Sequence, residues 1–484
     1  MKLQLSSTSF HDFTAQPVGG LSSARLMELL QKYDRPGPRY TSYPPATEFK
    51  AMTAGVYLDA LERQSAQLGD LEPLSLYIHI PFCASPCFYC GCNKIITRNR
   101  ANVRQYLDHL RKEMALLRLQ SNVYRRPVTQ LHWGGGTPTF LEDAELTELV
   151  HLTAHYFNLQ AREDRDYSIE VDPRTVTRER IDLLRGLGFN RISLGIQDFD
   201  ERVQKAINRV HGFDEIVELV ETIRTRGFSS LNFDLIYGLP LQTVETIQET
   251  LRQVIALSPD RISYYSYAHL PERFPAQRAI DAQDLPTPAQ RLEILTTIID
   301  TLTGAGYLYI GIDHFVKNSD SLALAKAQGK LCRNFQGYSI DKAADLIGLG
   351  VSSISTAGNV FAQNEVQLER YYQALDANQL PIARGVVSGE EDALRCEIIE
   401  QLSCFRALDI SGIERDYCID FNEHFRLLLP ELEQFERDGL IMWQKQKALT
   451  VTADGTLLLR NICMAFDGYL DRGAPIRPLF SRAI

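Results

Sequence analysis

The sequence predicts an α/β protein: a partial (β/α)6 barrel with an extended N-terminal arm and a mainly helical C-terminal domain resembling a winged helix. Two observations carry this. Between Leu74 and about residue 304, strand-like apolar runs alternate six times with helical stripes. The residues with unusual chemistry, a cluster of cysteines, a glycine triplet, Glu170, Gln197 and Asp234, all fall in or just beyond the C-terminal half of a strand. In parallel barrels that is the functional face. A Rossmann-like open sheet is the structural alternative, but it would gather these residues at one switch point. The expected divisions are an arm over residues 1–55, a barrel over 56–325 and a helical domain over 326–484.

Residues 1 to about 24 are aperiodic. The stretch Arg35-Pro36-Gly37-Pro38-Arg39-Tyr40-Thr41-Ser42-Tyr43-Pro44-Pro45 is too rich in proline for a helix and favours extended chain. It reads equally as a linker laid over the surface or as a segment closing over a site. Strands are expected at Leu76–Ile80, Gln130–Trp133, Tyr167–Val171, Arg191–Gln197, Leu231–Tyr237 and Arg261–Tyr267, with an extra one at Leu308–Ile312. Helices fall near 141–155, 177–187, 200–207, 213–226 and 287–304, and Val103, Leu107, Leu110, Met114 and Leu117 share one helical face. Leu331–Tyr338 and Gly348–Ile354 read as glycine-punctuated connections. From 391 onward helical periodicity dominates, closing with a helix over Glu431–Arg437, a hairpin from Leu440 to Thr452 and a helix near 453–464.

The net charge of −10 gives no global basic field to draw nucleic acid or an anionic membrane. An anionic substrate must therefore be held by local arginines and lysines. No stretch approaches the roughly 20 apolar residues of a membrane span. The start of the chain lacks the apolar core of a signal peptide. Of nine cysteines, four are bunched and five scattered, unlike a secreted disulfide framework. The reading is a cytoplasmic protein.

The bunched cysteines are Cys83, Cys87, Cys90 and Cys92, spaced C-x3-C-x2-C-x-C on a loop after the first strand. Thiolates this close can face one soft metal centre. Zinc would use four ligands, usually as two separated pairs. Three ligands at Cys83, Cys87 and Cys90 suit a 4Fe-4S cluster with one iron left open.

C-x3-C-x2-C after a strand resembles the signature of the radical S-adenosylmethionine (SAM) enzymes. The surrounding residues, Tyr77, His79-Ile80-Pro81-Phe82 and Gly91-Cys92-Asn93-Lys94, narrow the likeness to the oxygen-independent coproporphyrinogen III oxidases. Further blocks match in order along nearly the whole chain: Pro38–Pro44, His132–Thr139, Glu170–Arg174, Gly195–Phe199, Asp234–Pro240, Tyr267–Pro271, Asn334–Tyr338 and Arg460–Met464.

The resemblance implies that Cys83, Cys87 and Cys90 hold the cluster while Cys92 does not, and that the open iron takes SAM, whose reductive cleavage yields a 5′-deoxyadenosyl radical. Gly135, Gly136 and Thr137 would form a backbone ridge near SAM's amine, although a tight turn alone accounts for one glycine. Glu170 suits a ribose diol or a cationic amine, with capping as the ordinary alternative. Tyr77, Ala268 and Ile354 match positions lining the first SAM, Tyr89 is a cofactor-contact position where relatives can carry Phe, and Gln197, Arg209 and Asp234 match contacts to a second. The implied reaction converts two propionates of coproporphyrinogen III to vinyls. The implied partners are a reductant such as flavodoxin or ferredoxin, no nucleic acid and no membrane, for a monomeric enzyme. Arg39, and less so Arg333, are candidates for the substrate carboxylates; as solvated surface arginines they would do nothing. Relatives can carry asparagine where this chain has Cys404, which puts substrate contacts there in doubt. The runner-up is a haem chaperone on the same barrel, which typically lacks the proline-rich arm and the Gly-Cys-Asn-Lys continuation. A winged-helix DNA regulator would place Lys and Arg on 431–437, which instead carries three Glu against one Arg.

Overall fold

The computed structural model describes residues 23–33, 35–69, 71–335, 337–340 and 345–470. The expectation for the first 22 residues lies outside these. Strands β1 (Leu74–Ile80), β2 (Pro127–Gly135), β3 (Asp166–Val171), β4 (Arg191–Gln197), β5 (Ser230–Tyr237) and β6 (Arg261–Ser266) lie side by side in chain order, all parallel. The helices Arg100–Gln120, Asp143–Tyr156, Arg178–Gly186, Phe213–Thr225, Val244–Leu257 and Pro288–Gly304 connect or follow them.

The strands alternate along most of their length, with register slips at Val128–Gln130 and Gly195–Gln197. Outward residues such as Leu76, Ile78, Trp133, Ile169, Leu194, Phe233 and Ile262 are buried in one apolar core with the helices. Their neighbours Gln130, Ser168, Ser193, Asn232 and Ser263 point the other way, into a hollow of about 150 Å³. A parallel strand buried on both faces ordinarily reads as continuously apolar. Polar residues at every second position are the sign that this barrel encloses a wet interior.

Two features depart from the expectation. The segment Gly348–Ile354, read as a glycine-punctuated connection, begins inside a strand, Asp345–Leu349, parallel to β1 on its outer edge. Antiparallel strands Ile354–Ala357, Val360–Asn364, Ile382–Val387 and Lys50–Ala51 follow in that direction. The fourteen-stranded sheet therefore runs well past residue 325, and the helical region starts at Glu390. At the other edge β6 pairs with His314–Lys317, which pairs in turn with Tyr307–Gly311, both antiparallel, so the expected extra strand closes a hairpin. A buried ion pair, Arg126 with Asp345, locks the added strand to the base of the barrel; both side chains have zero exposure. Arg126 also donates to the carbonyls of Glu72 (3.1 Å) and Pro73 (2.9 Å).

The C-terminal region matches its expectation of helices and a small hairpin. Helices Glu390–Phe405, Ile410–Tyr417 and Leu429–Arg437 surround a three-stranded sheet of Ala407–Asp409, Ala448–Val451 and Ile441–Gln444. The final helix is broken into Ala453–Leu457 and Leu459–Ala465. Cys404 sits in an apolar cluster with Ile310, Val316 and Tyr338, away from solvent.

The arm is neither a surface linker nor free. A helix, Ser23–Tyr33, precedes it. Tyr33, Tyr40 and Tyr43 are buried in the core of the helical region. Tyr40 donates to Asp467 (3.0 Å), Arg460 donates to the Gly37 carbonyl (2.6 Å), and the Gly468 N–H donates to the Tyr43 hydroxyl (2.8 Å). Arg39 reaches the barrel instead, donating to the Ser266 carbonyl at 2.8 Å. The arm thus ties the helical region to the rim of β6.

Candidate active site

The loop after β1 is short and pinned at several points. Ile95 N–H donates to the Pro81 carbonyl (2.7 Å), Thr97 N–H to Cys83 (3.0 Å), Phe88 N–H to Ile207 (3.0 Å) and Cys90 N–H to Cys87 (3.3 Å). Its thiols have little freedom. At the end of β2, Gly136 N–H donates to the Ile80 carbonyl (2.8 Å) and Thr137 N–H to the Phe82 carbonyl (3.0 Å).

All three glycines are required by what lies against them. A Cβ on Gly134 would stand 2.9 Å from the Glu170 carboxyl carbon. One on Gly135, whose φ is +116°, would stand 2.6 Å from the His79 ring. A Cβ on Gly136 would stand 2.7 Å from the Pro81 carbonyl carbon, in rigid backbone. Gly136→Ala is accordingly expected to push the cysteine loop outward at a strain of about 1–3 kcal/mol. Iron bound on anaerobic reconstitution should fall, and turnover by roughly tenfold or more, while the far-ultraviolet circular dichroism stays unchanged.

Cys83, Cys87 and Cys90, with Tyr89, Gly135, Gly136, Thr137, Glu170, Gln197, Arg209 and Asp234, line one cavity of about 460 Å³ at the C-terminal ends of the strands. Cys92 lines it too. Three expected residues do not. Tyr77 lies deeper, stacked on His132 (centroids 5.8 Å apart) with its hydroxyl 3.1 Å from His79 Nδ1. Ile354 lies two strands out, its backbone against Gly348, the register partner of Tyr77. Ala268 follows β6, and its carbonyl shares a donor with Tyr89: Gln277 Nε2 reaches the Ala268 oxygen at 3.1 Å and the Tyr89 oxygen at 3.0 Å. Gln277, which sequence reasoning missed, binds the cysteine loop to the far edge of the barrel.

The thiols sit in different electrostatic surroundings. Burial pushes Cys83 up to about 11, partly offset by the Thr137 hydroxyl 3.3 Å away. The nearby Cys92 thiol brings Cys90 down to about 6, against burial and with help from the Lys94 ammonium. Cys92 is correspondingly raised. Cys87 faces two guanidinium groups, Arg209 Nη1 at 3.4 Å and Arg174 Nη2 at 3.7 Å. Both arginines also hold Asp172, at 3.0 and 2.7 Å. Arg209 clamps the Gly195 carbonyl through Nε (2.9 Å) and Nη2 (2.7 Å). That approach leaves no room for a side chain at Gly195, where a Cβ would meet Arg209 at 2.6 Å. In the sequence Asp172 and Arg174 stand only within the matching block Glu170–Arg174, with no role assigned to either.

Glu170 accepts from the Gly135 N–H (3.2 Å) and lies 3.2 Å from His132 Nε2. Burial raises its pKa, but the His132 hydrogen bond and charge and the Gly135 N–H outweigh it, so the carboxylate is held below its usual range. Its side chain keeps 43% of its surface open to the cavity. Asp234 behaves oppositely: burial lifts it to about 6 despite donors from Ser193 (2.5 Å) and Asn232 (2.9 Å). Gln197 adopts a left-handed backbone (φ 68°) at a bulge between β4 and β5, which turns it into the cavity.

Among the described residues no three His, Cys, Asp or Glu side chains converge around a single metal ion. Three thiols spread over one cavity wall suit a multi-iron cluster better, each thiol meeting its own iron. The flanking cations Arg174, Arg209 and Lys94 offset the negative charge that thiolates bring. The donor set and its setting fit such a cluster.

A model of the Radical SAM superfamily matches residues 77–254, from β1 to the helix after β5. The oxygen-independent coproporphyrinogen III oxidase of Pseudomonas aeruginosa is 47% identical over 94% of this chain and 98% of its own length. That of Escherichia coli is 45% identical over 95% and 98%. The solved structure of coproporphyrinogen III oxidase (HemN) from Escherichia coli, a radical SAM enzyme, superposes with a TM-score of 0.86 at 44% identity, covering 92% of this chain and 99% of that one. This chain belongs to the oxygen-independent coproporphyrinogen III oxidase family.

Proposed function

We propose that the protein oxidatively decarboxylates two propionates of coproporphyrinogen III to vinyls, giving protoporphyrinogen IX without oxygen. The observation that carries this reading is the convergence of the Cys83, Cys87 and Cys90 thiols with the Gly135–Thr137 backbone and Glu170 on one cavity at the C-terminal face of the barrel. When bound there, a 4Fe-4S cluster and SAM supply the radical that takes hydrogen from the propionate.

The chain's own residues bind, orient and exclude water. Cys83, Cys87 and Cys90 hold the cluster and leave one iron open. Cys92 lines the same cavity but stays outside the ligand set. The ridge at Gly135, Gly136 and Thr137 offers backbone to SAM's amine, and Glu170, kept ionised, suits the amine or the ribose diol. Gln197, Arg209 and Asp234 line the same cavity, which supports reading them as contacts to a second SAM. A one-electron donor such as flavodoxin or ferredoxin serves a monomeric cytoplasmic enzyme, and no helix of the described residues is long and apolar enough to cross a membrane.

The test is anaerobic assay of the reconstituted protein with coproporphyrinogen III, SAM and a reductant. The expected product is protoporphyrinogen IX with release of carbon dioxide. No decarboxylation, together with stable stoichiometric haem binding, would overturn the reading in favour of a haem chaperone.

A further inference from the structure

Among the described residues Arg39 and Arg333, near the rim of β6, form no ion pair with a carboxylate, unlike Arg35 on the same arm. Arg35, on the exposed part of the arm, pairs with Glu431 at 3.3 Å. Arg39, four residues on and half-buried, donates to a backbone carbonyl and lies with its guanidinium 5.9 Å over the Tyr265 ring. Arg333 lies with its guanidinium 4.7 Å over the Tyr338 ring, and its Nη2 reaches the Arg39 carbonyl at 3.5 Å. Its Nε and Nη1 are buried and have no hydrogen-bond partner among the described residues.

Tyr265 lines the thiol cavity and the polar hollow below it, and Tyr338 lines the hollow. The two guanidinium groups thus lie against aromatic rings that line the space the cysteine loop opens onto, behind its wall. A third guanidinium, Arg460, adds positive charge beside Arg39, which the nearby Asp313 carboxylate offsets in part. Cations withdrawn from water without an anion are unfavourable, and removing that penalty is what an anionic ligand would do. The guanidinium fork matches a carboxylate in two hydrogen bonds.

We propose that Arg39 and Arg333 form a clamp for a propionate carboxylate of the substrate, holding the ring against Tyr265 at the β6 side of the cavity. This rests on the reading of the substrate as coproporphyrinogen III, a tetracarboxylate, and assigns the charge that meets it. It also gives the buried arm a purpose: Tyr33, Tyr40 and Tyr43 anchor it so that Arg39 is presented at a fixed place.

The test uses the anaerobically reconstituted full-length protein and coproporphyrin III, the stable fluorescent tetracarboxylate, alongside steady-state assay with coproporphyrinogen III. In the double variant Arg39→Gln, Arg333→Gln, the dissociation constant and KM are expected to rise about tenfold or more, with the visible absorption of the cluster unchanged. Arg333→Lys, which keeps the charge but not the fork, should lie between the wild type and Arg333→Gln. Limited proteolysis checks that the arm stays docked. Wild-type affinity in the double variant would overturn the clamp, as would a loss of affinity seen only with release of the arm. A wild-type protein that makes no protoporphyrinogen would instead overturn the substrate reading, so the two failures are distinguishable.

Discussion

Cys87→Ala is expected to abolish turnover completely and to leave a chain that folds but binds no stable cluster on reconstitution. Cys87 is the buried member of the trio and the one flanked by both Arg174 and Arg209. Both guanidinium groups donate to its sulfur and so fix where it points. Loss of the sulfur removes one of three ligands, and among the described residues the further thiol on the cavity is Cys92, which stands outside the ligand set. Iron and sulfide analysis with visible absorption checks the result. A variant holding a full cluster complement would show that Cys92 can substitute, and the division of roles within the loop would be wrong. Cys83→Ala and Cys90→Ala should behave alike.

The second large effect concerns stability. Asp345→Ala should destabilise the fold by about 3–5 kcal/mol, because it strands the fully buried Arg126 guanidinium without its counter-charge. The Gly358 N–H, which donates to Asp345 at 2.9 Å, loses its acceptor as well. Urea denaturation followed by circular dichroism measures this. Replacing both partners with apolar residues of similar size should restore much of the loss, since the penalty lies in the unpaired charge. If Asp345→Ala unfolds at the wild-type midpoint, the added strand is not secured to the barrel as described.

The barrel strands were legible because their signal is local. Arg191–Gln197 falls where the alternation places it, and the other five strands shift by a residue or a few. Asp345–Leu349 was hidden for a physical reason. It is short and contains Gly348, which reads as punctuation. That glycine is instead demanded by packing, since a Cβ there would lie 2.5 Å from the Ile354 carbonyl oxygen. The arm's position was not legible either. Its tyrosines are buried by residues more than 350 positions away along the chain, in contacts no local pattern encodes.

The site divided in the same manner. The cysteine spacing and glycine triplet lie within single loops and could be read directly. The pairing of Arg209 with Cys87 and Asp172, and the Gln277 bridge between Tyr89 and Ala268, join distant loops and appear only when the barrel is assembled. Polar residues at alternate strand positions were a missed signal. Ser168, Ser193 and Ser263, set between apolar neighbours, already spell out the wet barrel interior.

The claim on which everything else depends is that three cysteines hold a cluster whose remaining iron is open to SAM. Electron paramagnetic resonance of the reduced, reconstituted Cys92→Ser variant tests it most directly, recorded with and without SAM. The account predicts a cluster signal as intense as that of the wild type, which changes when SAM is added. Loss of the cluster in this variant, or a wild-type signal indifferent to SAM, would contradict it.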